Sequence, residues 1–355
     1  MHRILVINPG STSTKVALYE EEKPLWSETL SHSREQLSGF EKVIEQMEMR
    51  YADIEDTLRS REVDLASLSA VVGRGGPFKP LDSGTYRVDE HLLQDVKSGN
   101  VQAEHISNIG VLLAREIAEK ASVPAFFVDP VSVDEFEPVA RISGIPELER
   151  KSLLHALNIK AIAREAAKDF GRSLSECNFV VAHLGGGISV CPIRKGRVID
   201  VNNANEEGPF SPERSGTLPV SSLVKLCYSG KFSYDEMKRR LVGNGGLVAY
   251  LGTNDSVEVE KRIEKGDEKT RLIYEAMAYQ IAKEIGAMAM VLKGEVDAIL
   301  LTGGLARSSL LVDWIEERVS FLAPVHVYAG ENEMESMALG ALRVLRGEEE
   351  AKKYE

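Results

Sequence analysis

The chain opens on three short runs of apolar and β-favouring residues, "RILVIN", "STKVALYE" and "LWSETLSHS", with turn-forming residues between them. The segment 3–32 is therefore expected to alternate short strands and turns. The charged stretch 34–61 follows, and its apolar residues Phe40, Val43, Ile44, Met47 and Ile54 recur at helical spacing. "LSAVVGR" reads as a buried strand ending in "GRGGPFKPLDSG", a loop too rich in Gly and Pro for helix. Helical spacing returns in "NIGVLLAREIAEKA", and "PAFFVDPVS" is a strand that stops at Asp129-Pro130.

A second round resembles the first. After a helix expected over 151–170, "NFVVAHLGGGISVCPIRKGRVIDV" gives strand, triple-glycine turn, strand, Lys-Gly turn and strand, roughly 175 residues after the first such unit. A Pro/Gly-bearing loop and then mostly helix fill 204–250, and a long helix over 267–293 leads into the strand "VDAILLTGG". The last helix is expected over 333–347, and "RGEEEAKKYE" reads as a solvated helix end or frayed tail. Strands alternating with helices give an α/β class, with mixed sheets because hairpins impose antiparallel neighbours. The expected division is 1–150 together with 333–355, and 151–332. No low-complexity linker separates the halves, which favours packed domains with a cleft between them.

The 355 residues suffice for two cores, and 43% hydrophobic with 28% charged residues describes an ordinary globular chain. No apolar stretch approaches the ~18 residues of a membrane span, and "MHRILVINPG" reads as a strand with no signal-peptide pattern, so a cytoplasmic protein without membrane partners is expected. Cys177, Cys191 and Cys227 have neither disulfide nor zinc spacing and are read as reduced core residues. A net charge of −12 argues against nucleic-acid binding but leaves room for a local anion site.

Three strand-to-turn junctions are built of small residues: "NPGSTSTK", "HLGGGIS" and "TGGLARSS". Gly allows backbone N–H groups to approach an anion closely, and Ser or Thr adds hydroxyl donors. Each alone is also the composition of a tight hairpin turn. No GxxxxGK[ST] pattern occurs. Arg74, in "GRGG", and Arg214, in "SPERSG", offer guanidinium groups that match carboxylate and phosphate oxygens, although a charged loop residue is often simply solvated. His183 closes an apolar strand and is either a satisfied core histidine or a donor to a phosphoryl group. Asp129 is a magnesium ligand or the cap of a turn. Asn8 ends the first strand, where it would orient groups, and alternation from Thr14 directs Lys15 toward solvent.

In their order these pieces resemble the superfamily of acetate and sugar kinases, chaperones and actin. Within it, "VINPGSTSTKVALY", "VVGRGG", "AEHISNIG", "FFVDPVSVDEF", "LLHALN", "VVAHLGGGISV", "SPERSG", "DAILLTGGLARS" and "GENEMESMALGALR" resemble the acetokinase family, and the wording "DPVSVDEF" and "SLLHALNIKA" its butyrate kinase branch. The resemblance implies two ribonuclease H-like domains with an ATP cleft between them. It implies reversible ATP-dependent phosphorylation of butanoate, with ATP/ADP and Mg²⁺ as cofactors, a short-chain carboxylic acid as substrate, and a homo-oligomer. Other short-chain acids are the alternative acceptors, and a nucleotide-driven switch of the chaperone or actin type is the alternative class.

By the same resemblance Ser11, Thr12 and Ser13 form the first phosphate loop and Gly185, Gly186 and Gly187 the second, while Gly303, Gly304 and Arg307 form the adenosine loop. Arg74 and Arg214 are assigned to the reacting carboxylate and the transferring phosphoryl group. His155 matches a second cleft histidine, with His105 a weaker match, and Asp255 falls in the adenosine region. Asp129 and Glu333 correspond to the metal site, with Glu331 and Glu335 as other registers of the glutamate. Leu154 stands where acetate kinases carry an aromatic residue, and Gly75 and Gly76 replace a bulkier side chain, an arrangement expected to leave room for a longer acyl tail.

Overall fold

The apolar runs become sheet in both halves of the chain. The computed structural model describes residues 1–355 and divides into two units, 1–133 with 332–355, and 134–331. In the first unit the strands are β1 (Arg3–Pro9), β2 (Ser13–Glu20), β3 (Lys23–Ser31), β4 (Ala70–Gly73), β5 (Thr85–Arg87) and β6 (Ala125–Val128), in the order β3-β2-β1-β4-β6-β5. β1, β2 and β3 run antiparallel as a meander, whereas β4 and β6 join parallel to β1. Parallel pairing requires helical crossovers. Helix Ile109–Ala121 supplies one, burying Ile109, Leu112, Leu113 and Ile117 against Leu5, Ile7, Val16 and Phe127. The C-terminal helix Glu333–Leu345 returns to this unit and packs against β1, β4 and β6.

The second unit repeats the connectivity. Its strands are β7 (Asn178–Leu184), β8 (Ile188–Arg194), β9 (Arg197–Val198), β10 (Ala298–Gly303) and β11 (Val325–Ala329), ordered β11-β10-β7-β8-β9. Again three successive strands are antiparallel and the next two join parallel beside the first. The long helix Glu268–Val291 is capped by Asp267, which accepts from Thr270 N–H, and buries Ile273, Met277, Ile281, Ile285 and Met288. Helix Ala156–Asp169 covers β7 and β10. The expected α/β class with two mixed, helix-flanked sheets is therefore found.

Several local expectations are revised. The stretch 34–61 is two helices, Arg34–Ser38 and Met47–Ser60, because Gly39 caps the first and a 3-10 turn, Val43–Gln46, precedes the second. The helix expected from 151 starts at Ala156, and His155 stands at its N-cap with φ −77° and ψ 58°. Residues 134–150 pack with the second unit: Glu135 pairs with Lys160 at 3.0 Å, both buried, and accepts from Val198 N–H. The C-terminal tail is docked, since Lys352 N–H donates to the Thr85 carbonyl, and Tyr354 is buried with its hydroxyl on Asp95. The exposed Cys227 differs from the buried Cys177 and Cys191.

Candidate active site

In the first unit the polar residues gather where β1, β4 and β6 end. Asn8, near the end of β1, donates from Nδ2 to Glu333 Oε2 (2.8 Å), and Arg74, just past β4, lies 2.7 Å from Glu333 Oε1. Of the three candidate glutamates Glu333 is thus the one joined to both residues. Glu335 acts electrostatically on Tyr19, and Glu331 lies in the second unit. Asp129 ends β6 with φ +36°, a left-handed conformation rare for a side chain before proline. It is buried, and its Oδ1 accepts the Gly84 N–H at 2.7 Å. His105 heads a short helical turn with Nδ1 2.7 Å from Ser107 Oγ, and desolvation, then the charge of Arg74, lowers its pKa.

The β1–β2 turn carries Ser11, Thr12 and Ser13, the first two exposed and the third half-buried. Lys15 is exposed, as alternation predicts, while Thr14 is fully buried.

In the second unit polar residues gather around His183, buried at the end of β7. Its Nδ1 is 2.7 Å from Asn158 Oδ1, which also accepts from Thr302 Oγ1 at 3.2 Å, so Nδ1 carries a proton. Nε2 makes no hydrogen bond, although Glu331 Oε1 lies 3.1 Å away. His155 stacks on His183 with ring centroids 3.9 Å apart and planes 14° from parallel, and its own Nδ1 meets Ser189 Oγ at 3.0 Å. Gly185 borders the same atom, since a Cβ there would stand 3.0 Å from His183 Nε2.

Arg214 lies across Gly187 so closely that a Cβ on that glycine would be 2.2 Å from NH1 and 2.4 Å from Cζ. Ser211 shapes this contact by donating to the Gly186 carbonyl (2.5 Å) and accepting from Arg214 N–H (3.2 Å). Burial lowers the Arg214 pKa, with Glu213 opposing. Glu213 acts on its guanidinium only through charge, with no side-chain hydrogen bond to it, a form suited to an incoming anion.

Gly303, with φ +90°, ends β10 against the Leu184 carbonyl, 2.4 Å from where a Cβ would be. Gly304 and Arg307 are exposed, and the Arg307 guanidinium lies against Gly330. Asp255 caps helix Ser256–Glu264, accepting from Val257 N–H at 2.9 Å. No group of three or more His, Cys, Asp or Glu side chains is arranged to hold a metal. Asp129 and Glu333 fit an ion held mainly by phosphate oxygens and water, as Mg²⁺ is in nucleotide sites, rather than a protein cage.

The space expected beside Arg74 is absent. A Cβ on Gly75 would meet Pro130 at 2.6 Å and Phe127 at 3.2 Å, and one on Gly76 would meet Asn108 Oδ1 at 1.8 Å. These glycines let the backbone pack against its own protein and open no room there for an acyl tail. Leu154 is 3% exposed. Asn158 was not singled out in the sequence, although it stands three residues after His155 in "LLHALN", one helical turn on.

A model of the acetokinase family matches residues 148–337. Among solved structures, the acetate kinase of Porphyromonas gingivalis superposes with a TM-score of 0.80 at 17% identity, over 97% of this chain and 100% of that one. A propionate kinase from Francisella tularensis subsp. tularensis SCHU S4 gives 0.77 at 20% identity, over 96% and 99%. The ROK hexokinase of Thermus thermophilus gives 0.50 at 14% identity, over 96% and 97%. At these identities the structural likeness is one of fold.

Proposed function

Because this chain belongs to the acetokinase family, we propose that it is an ATP-dependent carboxylate kinase that converts butanoate to butanoyl phosphate, reversibly and by direct in-line transfer. A carboxylate, with a pKa near ~4, is ionised at neutral pH and requires no general base. The difficulty is electrostatic, because an anionic nucleophile approaches an anionic phosphoryl group. The observation that carries the reading is Arg214, laid over the triple-glycine turn with no side-chain hydrogen bond from Glu213, in the same unit as the unbonded Nε2 of His183.

In this scheme Arg74 orients the acid, Arg214 neutralises the transferring group and His183, protonated on both ring nitrogens, donates from Nε2, its ring held by Asn158 and backed by His155. Asn8 orients groups beside Arg74. The amides of 185–187 and the 11–13 turn receive phosphate oxygens, and Gly303, Gly304, Arg307 and Asp255 belong to the adenosine end. Bound Mg²⁺ would be held through Asp129 and Glu333, where it supplies charge neutralisation between phosphates. Butanoate is favoured over shorter acids by the aliphatic Leu154, with each added CH₂ contributing roughly 0.8 kcal/mol on burial.

Acyl hydroxamate formation with ATP over acetate, propionate, butyrate, isobutyrate and valerate tests this directly. The expected order has butyrate highest in kcat/KM; a maximum at acetate or propionate reassigns the acceptor, and no product with any acid removes the activity. Arg74→Ala and Arg214→Ala should each lower kcat by orders of magnitude in a folded protein.

A further inference from the structure

Arg50, on helix Met47–Ser60, is completely buried beneath the β1–β2 turn. A guanidinium has five N–H donors, and here all five are used. Nε donates to Gln46 Oε1 (3.2 Å). NH1 donates to the Ser13 carbonyl (2.9 Å) and Thr14 Oγ1 (2.8 Å), and NH2 to the Ser11 carbonyl (3.2 Å) and Gln46 Oε1 (2.9 Å). No carboxylate is paired with it directly; Asp53 acts on it from farther away. Thr14 continues the network, its hydroxyl 2.8 Å from His32 Nε2, and His32 N–H donates to the Thr12 carbonyl at 2.8 Å.

The carbonyls of Ser11, Thr12 and Ser13 are therefore all engaged, Ser13 also by Gly10 N–H at 2.7 Å. In a trans peptide the C=O and the following N–H point in opposite directions. Fixing the Ser11 carbonyl on Arg50 turns the Thr12 N–H the other way, and the Ser11 and Thr12 amides have no protein acceptor. Outward amides beside exposed hydroxyls, above a buried positive charge, are the elements of an anion receptor.

We propose that Arg50 is a positioning residue for the nucleotide: through the Ser11 and Ser13 carbonyls and Thr14 it holds the 10–14 turn in its phosphate-receiving form. The inference rests on reading that turn as a phosphate loop of an ATP-dependent kinase. A residue that only stabilised the fold would change the amount of active enzyme and leave both Michaelis constants alone. A residue that shapes the phosphate loop changes the constant for ATP and spares that for the acid.

The test uses the full-length protein with Arg50→Lys, which keeps the charge and loses the five-donor fork, and, independently, Thr14→Val, which removes the hydroxyl at constant shape. Charge-assisted hydrogen bonds are strong enough that their loss should raise KM for ATP, and Kd for a non-hydrolysable ATP analogue, by about tenfold. KM for the acid should stay within about twofold. Thr14→Ser should restore the wild-type constant. Unchanged KM and Kd for nucleotide, with only Vmax reduced, overturns the proposal, and if Arg50→Lys does not fold the Thr14→Val split decides. Wild-type protein that binds the analogue but phosphorylates no acid defeats the kinase reading while leaving the Arg50 measurement intact; failure to bind the analogue defeats both.

Discussion

At the scale of single residues, Gly187 matters for the side chain it lacks. A methyl group there would overlap the Arg214 guanidinium, which is the mobile end of a long side chain and can move aside without disturbing the core. Gly187→Ala should therefore fold with a melting temperature close to wild type and yet lower kcat at least tenfold, approaching Arg214→Ala. Near-normal turnover in Gly187→Ala would show that the Arg214 position is not needed. His32 gives a second residue-level expectation. Burial, then the charge of Arg50, lowers its pKa, with Asp53 opposing, so the folded protein holds this proton less tightly than the unfolded chain, where histidine titrates near ~6.5. Stability is then fully present above that value and falls with pH below it, by up to about 1.4 kcal/mol per unit until the folded group also titrates. Urea unfolding of the wild type at pH 7.5, 6.5 and 5.5 should show this slope, and His32→Gln should flatten it.

At the scale of elements, helix Ile109–Ala121 approaches β4 so closely that the contact is made by two glycines. A Cβ on Gly73 would lie 2.1 Å from the Gly110 carbonyl oxygen, and one on Gly110 2.5 Å from that of Arg74. Gly110→Ala should destabilise the protein by about 1–3 kcal/mol. It should also lower kcat more than the lost stability explains, because the backbone it displaces carries Arg74; denaturant melts with single-turnover rates separate the two. Continuous apolar runs bounded by turn residues, as in β1, β7 and β8, and helical spacing, as in helix Glu268–Val291, were legible because these strands are buried on both faces and the helix on one. β5 and β11 were not, since three to five residues hold too little pattern, nor was helix Glu90–Ser98, whose nine residues make only about two and a half turns. Arg74, Arg214 and His183 could be picked out as candidates because each adjoins a strand end or glycine turn. Arg50 and Asn158 could not, as each looks like an ordinary polar helical residue until tertiary packing supplies its partners. Gly75 and Gly76 were misread for the same reason, their space being filled from distant positions.

At the scale of the whole chain, the same strand order occurs twice, and the first unit is completed only by the last residues of the sequence. Residues 332–355 contribute the helix that covers β1, β4 and β6, and Lys352 then pairs along β5, bonding Arg87 and Thr85. Tyr354 is 4% exposed, its ring edge-on to Phe78 and its hydroxyl 3.2 Å from Asp95 Oδ2. Its charged flanks, "EEEAKK" and the final glutamate, hide this anchor in a sequence that otherwise reads as solvated. Tyr354→Ala removes a buried aromatic ring, a loss that typically costs about 3–5 kcal/mol, and leaves Asp95 with fewer donors. The strain should be local, because no residue of 134–331 belongs to this core. Hydrogen exchange should accelerate in peptides covering 79–98 and 346–355 while those covering 178–198 keep wild-type protection. Equal acceleration in both sets would mean that the two units unfold as one cooperative block, and no acceleration in the first would mean that the tail is not an integral part of the sheet.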